Sequence, residues 1–285
     1  MPEVSIVVPN YNHARFLKQR IDSILNQTYQ NFELILLDDC STDNSRDIIE
    51  EYRKHPQVTQ IVYNTRNGGT PFRQWQKGIT LATGKWVWIA ESDDYAAPSF
   101  LETLITLLQN RPSAGIAFGG SVYIDDKGIA GEDLSIYHTE FYRNGIEEIK
   151  SRLWKECTIH NVSSCLMKQN LAQLAIKGLE HYKACGDWML YIKMLQHTGL
   201  VFTPQKLNYF RYYHNNISSR ASKCGLWESE GVNVLKYIRY DVVNFSPGKF
   251  KLVIDTWYKK AKTLKGIPKY KAMFTIAKSV GRFLI

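Results

Sequence analysis

The sequence predicts an α/β fold, a Rossmann-like, mostly parallel sheet flanked by helices, with a helical C-terminal extension. Three observations carry that expectation. Strand-like runs recur at residues 4–8, 32–37, 58–63 and 86–90, the first two near-continuously apolar as in a parallel sheet. Stretches with helical periodicity separate them, giving a βαβαβαβ order with right-handed crossovers. Three of the strands run straight into polar residues, "PNYN", "LDDCS" and "ESDD".

Each element has its own signal. Residues 15–27 set Phe16, Leu17, Ile21, Ile24 and Leu25 at helical spacing, and "DDCSTDNS" is a turn cluster leading into a helix faced by Ile48, Ile49 and Tyr52. Helices are expected at 72–82 and 99–109. Beyond Asn110 the pattern changes: strands at 115–119 and 121–124, a turn at "DDKG", a helix over 144–154 and a stronger one over 187–196. "GLVFTP" and "LNYFRYYH" then read as strand pieces. In the tail, Ser246-Pro247 starts a helix as cap and first-turn proline. Phe250, Val253, Ile254, Trp257, Ala261 and Leu264 line one side, and Ile267, Tyr270, Phe274, Ala277 and Leu284 continue past Gly266.

Composition narrows the class. The chain has 285 residues, 44% hydrophobic and 13% aromatic, enough for a large core. No run approaches the ~20 apolar residues of a membrane span, and no basic leader or cleavage site is read at the amino terminus. Five scattered cysteines without a C-x-x-C pair suit reduced thiols in a cytoplasmic protein and not structural zinc. The net charge of +9 sits entirely in residues 246–285, with ten Lys and Arg against Asp255; the first 245 residues are balanced. A nucleic-acid enzyme would spread that charge over a cleft, so no nucleic-acid partner is expected.

In parallel sheets ligands bind beyond the carboxyl ends of the strands, where the three polar endings fall. Glu91-x-Asp93 is a carboxylate pair able to hold Mg²⁺ or Mn²⁺ shared with substrate phosphates; the same acids also suit solvated caps of the helix that starts near Ser99. There is no G-x-G-x-x-G after the first strand and no G-x-x-x-x-G-K-[ST], which disfavours nicotinamide dehydrogenases and phosphate-loop ATPases.

The segment "VSIVVPNYNHARFLKQRIDSILNQTYQNFELILLDDCSTDNS" resembles the start of family 2 glycosyltransferases, an inverting group with a GT-A fold. "GITLATGKWVWIAESDDYAAPSFLE" resembles their approach to the D-x-D motif, and "GDWMLYIKMLQHTGLVFTPQKLNYFRYYHNNIS" their acceptor-side helix and following strand. The resemblance covers residues 3–219. It implies a transferase domain over 1–219, with a nucleotide-binding half at 1–95 and an acceptor half at 96–219, followed by the basic helical extension at 220–285.

Carried over by position, the resemblance implies that Pro9 and Tyr11 wrap the donor base and that Asp39 accepts its N–H, which leans toward a uracil or thymine base. It places Asp93 on a Mn²⁺ or Mg²⁺ ion, with Glu91 where the family has the first Asp. Asp94 supports the ribose or the structure, and Arg211 and His214 reach toward pyrophosphate or metal. Asp187 matches the catalytic base; its helix-start position also suits a plain N-cap. The family's preceding Glu is Gly186 here.

The implied reaction is inverting transfer from a nucleotide-diphosphate sugar to a glycan or lipid-linked glycan acceptor in bacterial polysaccharide assembly. The competing class is a catalytically degenerate nucleotide-sugar or glycan-binding module. The basic amphipathic segment 246–285 suits an anionic inner membrane face, or a helix packed on the body with its lysines in water.

Overall fold

The computed structural model describes residues 1–213 and 217–280 of the chain. The first half alternates as expected: β1 (Val4–Asn10), α1 (Ala14–Leu25), β2 (Phe32–Asp38), α2 (Ser45–Glu51), β3 (Val58–Tyr63), α3 (Pro71–Leu81) and β4 (Trp86–Ile89). The second half is irregular: β5 (Tyr95–Ala96), α4 (Phe100–Asn110), β6 (Ala114–Ile124), β7 (Ala130–Asp133), β8 (Phe141–Asn144), α5 (Gly145–Glu148), β9 (Cys165–Lys168), α6 (Gln169–Ala175), α7 (Gly186–Leu195) and β10 (Gly199–Arg211). Helices α8 (Ile217–Lys223), α9 (Leu226–Tyr237), α10 (Pro247–Thr263) and α11 (Gly266–Val280) close the chain.

The strands form one sheet in the order β3-β2-β1-β4-β9-β6-β10-β5. The first four are parallel, with Val4 of β1 opposite Phe32 of β2 and Trp86 of β4. Antiparallel β9 bridges β4 to β6, and β10 returns parallel to β6. Because side chains alternate along a strand, each strand feeds two cores. Val7, Ile35 and Ile89 meet α3 and α7 through Phe72, Ile79 and Leu190. Ile6, Leu34, Leu36 and Trp88 meet α1 and α4 through Leu17, Ile21, Phe100 and Leu104. This two-sided burial is what the apolar runs encode.

Three expected boundaries shift. The two strands at 115–124 are a single β6 that runs through Gly119-Gly120. The two pieces after Gly199 are a single β10, with register breaks between Thr203 and Lys206 and again before Asn208; Pro204 has no N–H to give the ladder there. The helix expected at 144–154 begins at Gly145, where the Asn144 side chain accepts from Ile146 N at 2.9 Å, and widens into a π turn at Ile149–Leu153.

The extension is helical and shares the core of the body. Phe250 and Phe245 pack on Trp154, and Trp257 meets Trp188 edge-on at 5.9 Å. Gly266, at φ +63°, reverses the chain between α10 and α11, a conformation that costs glycine least.

Candidate active site

Three loops meet on the carboxyl rim of the parallel strands. Pro9 is buried within β1 opposite Leu37, and Tyr11 beyond it is 44% exposed. Asn12, in the left-handed region at φ 56°, uses its side-chain oxygen to accept from Thr42 N at 2.7 Å. Asn10 donates to Asp38 and to Ser41. The loops after β1 and β2 are thereby welded together, leaving the Tyr11 ring as an open platform.

Asp39 is buried and densely bonded. Oδ1 accepts from Asn64 Nδ2 at 2.6 Å, Gln74 Nε2 at 2.6 Å and the Gly68 amide, which it shares with Oδ2 at 2.9 Å. Oδ2 has no other donor among the described residues, so it retains acceptor capacity for a base N–H.

The acid tip explains how like charges are tolerated. Asp94 is buried: Oδ1 accepts from Arg211 N at 2.9 Å, Oδ2 from Ser163 Oγ at 2.7 Å and Asn161 Nδ2 at 3.0 Å. Arg211 is buried as well. Its guanidinium donates to Asp93 O, Asp125 O and Gln19 Oε1 at 2.7–2.8 Å and lies 4.3 Å from the Phe16 ring centroid. Both residues therefore stand beneath the tip and hold its backbone, where the resemblance implied a donor contact for Arg211.

A third buried group, Arg20 of α1, lies over the Trp88 ring at 4.8 Å and hydrogen-bonds nothing among the described residues. Burial lowers its pKa to about 10, against the pull of Asp94, Glu91 and Asp93. It is a cation inside the wall that offsets the tip. Arg20 sits at i+4 from Phe16 on the apolar face of α1, a signal readable in the sequence.

The tip presents two carboxylates with spare oxygens. Glu91 accepts from Trp75 Nε1 at 2.6 Å through Oε1, and burial, then the neighbouring Asp93, push its pKa up to about 8. Asp93 is half-exposed and accepts from Tyr213 OH at 3.3 Å through Oδ2. His13 joins the first and fourth strand ends: Nδ1 lies 2.8 Å from Ser92 Oγ and Nε2 lies 3.2 Å from Tyr213 OH. His13, Ser92 and Tyr213 lie far apart in sequence, and no local pattern announces their meeting. His214 lies outside the described residues.

Asp187 sits in the first turn of α7, half-buried, its Oδ1 accepting from Trp188 N at 2.7 Å. Burial raises its pKa to about 7. The loop before it is tied to the donor side by Thr70 Oγ1, which donates to Tyr182 O at 2.6 Å. Gly186 lies on the Phe72 ring, Phe72 lies edge-on to Trp75 at 4.8 Å, and Trp75 holds Glu91. Contacts therefore lead from Glu91 through Trp75, Phe72 and Gly186 to Asp187, while Asp39 is bonded to Gln74 of the same helix α3 and Asp93 stands two residues beyond Glu91. Among the described residues, no group of three or more His, Cys, Asp or Glu could by itself hold a metal ion. The arrangement suits an ion that completes its shell with substrate oxygens.

Comparison with known proteins places this geometry. TuaG of Bacillus subtilis, described as a putative teichuronic acid biosynthesis glycosyltransferase, is 32% identical over 230 residues, 78% of this chain and 84% of that one. The glycosyltransferase GlyG of Streptococcus pneumoniae is 31% identical over 155 residues, 52% of this chain; the match spans 49% of GlyG. The fold matches S. aureus TarS in complex with UDP-GlcNAc (TM-score 0.62, 16% identity, 100% of this chain and 72% of that one). It also matches the mannosyltransferase PcManGT of Pyrobaculum calidifontis in complex with GDP-Man and Mn²⁺ (0.60, 17%, 99% and 74%). The architecture is accordingly that of GT-A transferases. The model of glycosyl transferase family 2 matches residues 5–173, more than half the chain, and to that family the chain belongs.

Proposed function

We propose that the protein is an inverting, metal-dependent glycosyltransferase. It takes a sugar from a nucleotide-diphosphate donor, UDP foremost, to an acceptor hydroxyl in the assembly of a cell-surface polysaccharide. The observation that carries this reading is the chain of contacts from Glu91 through Trp75, Phe72 and Gly186 to Asp187, with Asp39 bonded to Gln74 of the same helix and Asp93 two residues from Glu91. The nucleotides in the TarS and PcManGT structures and the role in TuaG's description support the substrate class.

In this reading Tyr11 stacks on the base, and Asp39 accepts its N–H through Oδ2. Asp93 and Glu91 offer oxygens to Mn²⁺ or Mg²⁺, hard cations that prefer such ligands. The bound ion supplies positive charge against the leaving diphosphate. Asp187 takes the proton of the acceptor hydroxyl as that oxygen bonds to the anomeric carbon. The bond from that carbon to the diphosphate breaks, its electron pair leaving with the phosphate oxygen, and the centre inverts in a single displacement. A carboxylate with a pKa near 7 suits this work, because it is both ionised in part and basic at neutral pH.

The test is Asp187→Asn. Transfer falls by about 10²–10⁴-fold while UDP affinity stays at the wild-type value. Equal loss of both contradicts the base assignment, and a wild-type protein that binds UDP-sugars yet never releases nucleotide supports a binding module instead.

The extension supplies the proposed location, the inner face of a membrane near a lipid-linked acceptor. No helix among the described residues is long and apolar enough to cross a membrane. Phe250, Val253, Ile254 and Ala261 of α10 are buried against the body, so that apolar face is already used. On α11, Ile267 (82% exposed), Tyr270 (71%) and Phe274 (68%) form an open stripe among lysines. This is the face that suits an anionic lipid surface.

A further inference from the structure

The turn in front of Asp187 is held by a residue of the C-terminal extension. Three successive amides, of Lys183, Ala184 and Cys185, converge on the carboxylate of Glu230: Lys183 N donates to Oε1 at 2.8 Å, Ala184 N and Cys185 N to Oε2 at 2.8 and 2.9 Å. Consecutive N–H groups pointing into one concavity make an anion nest, and here it closes around a side chain of α9. Cys185 Sγ also donates to Trp227 O at 3.6 Å, one helical turn earlier on α9. Thr70 fixes Tyr182 on one side of the turn, and the Phe72 ring blocks Gly186 on the other. Asp187 follows at once.

We propose that Glu230 is a positioning residue for Asp187: it grips the turn that carries the base and so makes the C-terminal extension part of the active site. The inference rests on the reading of Asp187 as the base. α9 is itself anchored, since Gly231 lies against Trp257 of α10, which in turn meets Trp188 beside Asp187. The extension thus touches the base-bearing segment on both sides of Asp187. A carboxylate gripping three amides suits that task because it binds them with charge-assisted hydrogen bonds.

Glu230 also acts on Asp187 through space. The described titratable groups that act on Asp187 electrostatically include Cys157, Cys165 of β9, Cys185, Tyr191 of α7 and Glu230 of α9. Burial pushes the three thiols and the phenol upward, so they stay neutral around pH 7. Burial is the main reason Asp187 is raised, and the nearby Glu230 adds to it in the same direction.

The experiment uses the full chain with Glu230→Gln and Glu230→Asp. Glu230→Gln lowers kcat at least about 10-fold, the scale of a misplaced catalytic group, with donor KM and UDP affinity unchanged. The acid limb of its kcat profile moves to lower pH, because a negative charge near the base is gone. Glu230→Asp keeps the charge and shortens the reach, so kcat falls while the limb stays in place. A fall in kcat matched by an equal fall in UDP-binding-competent protein means a merely structural role and overturns the proposal. So does a wild-type kcat and limb in Glu230→Gln beside an inactive Asp187→Asn. If Asp187→Asn itself keeps full activity, the base assignment fails first, and this inference with it.

Discussion

Gly186 and Phe72 meet so closely that a Cβ on Gly186 would stand 2.5 Å from Cζ of the ring. Where the family resemblance implies a Glu before the Asp, this chain has no room for any side chain. The contact also couples the two halves of the rim, since the same ring packs on Trp75 and Trp75 holds Glu91.

Gly186→Ala therefore forces the ring or the start of α7 to move. Overpacking of this kind costs about 1–3 kcal/mol, read as a lower urea midpoint with unchanged slope. Trimming the opposing ring in Gly186→Ala/Phe72→Leu recovers part of the loss. Additive destabilisation in the double variant would show that the two residues do not compete for the same space.

The pH dependence follows from Asp187. Its folded pKa is raised to about 7 by burial, so with Asp187 in the proposed role of base kcat/KM falls tenfold per pH unit on the acid side. The stability sign runs the other way. A carboxyl group with a raised folded pKa binds its proton more tightly folded than unfolded, so it favours the fold at low pH and costs stability as pH rises through about 7. Asp187→Asn should accordingly raise the melting temperature most at pH 7 and above, less at pH 5, and lose that advantage only below about pH 4. Thermal melts across pH check it.

The open stripe on α11 gives a third expectation. The full chain should co-sediment with vesicles containing phosphatidylglycerol, less so with phosphatidylcholine alone, and less at high salt as lysine contacts are screened. Replacing Ile267, Tyr270 and Phe274 by Ser should reduce binding several-fold without changing donor hydrolysis. Unchanged vesicle binding would move the contact elsewhere, and a dimer dissolved by these substitutions would mean that the stripe meets a second copy.

The first half of the fold was legible because β1, β2 and β4 are buried on both faces and say so in unbroken apolar runs, while α1 and α3 bury one stripe each. β9 was not legible. Its four residues, Cys165–Lys168, are too short to show a period and owe their conformation to β4 and β6 on either side. β6 and β10 were read as pairs of shorter strands because glycine and proline usually punctuate. Here neighbouring strands carry the chain through Gly119-Gly120 and past Pro204.

In the site, residues fixed by local context were readable: the acids at the end of β4 and the Asp opening α7. His13, Tyr213 and Glu230 were not. Their partners lie far off in sequence, at Ser92, Asp93 and residues 183–185, and the fold alone brings them together. Arg20 was not read either, although its place four residues after Phe16 on the apolar face of α1 is a signal that could have found it.

Whether Asp93 joins a divalent ion to the nucleotide's phosphates is read by calorimetry of UDP binding with and without Mn²⁺. Wild-type protein should bind UDP more tightly when Mn²⁺ is added, and Asp93→Asn, with its circular dichroism unchanged, should lose that gain. Equal UDP affinity in both proteins, with or without the ion, would contradict that role of Asp93.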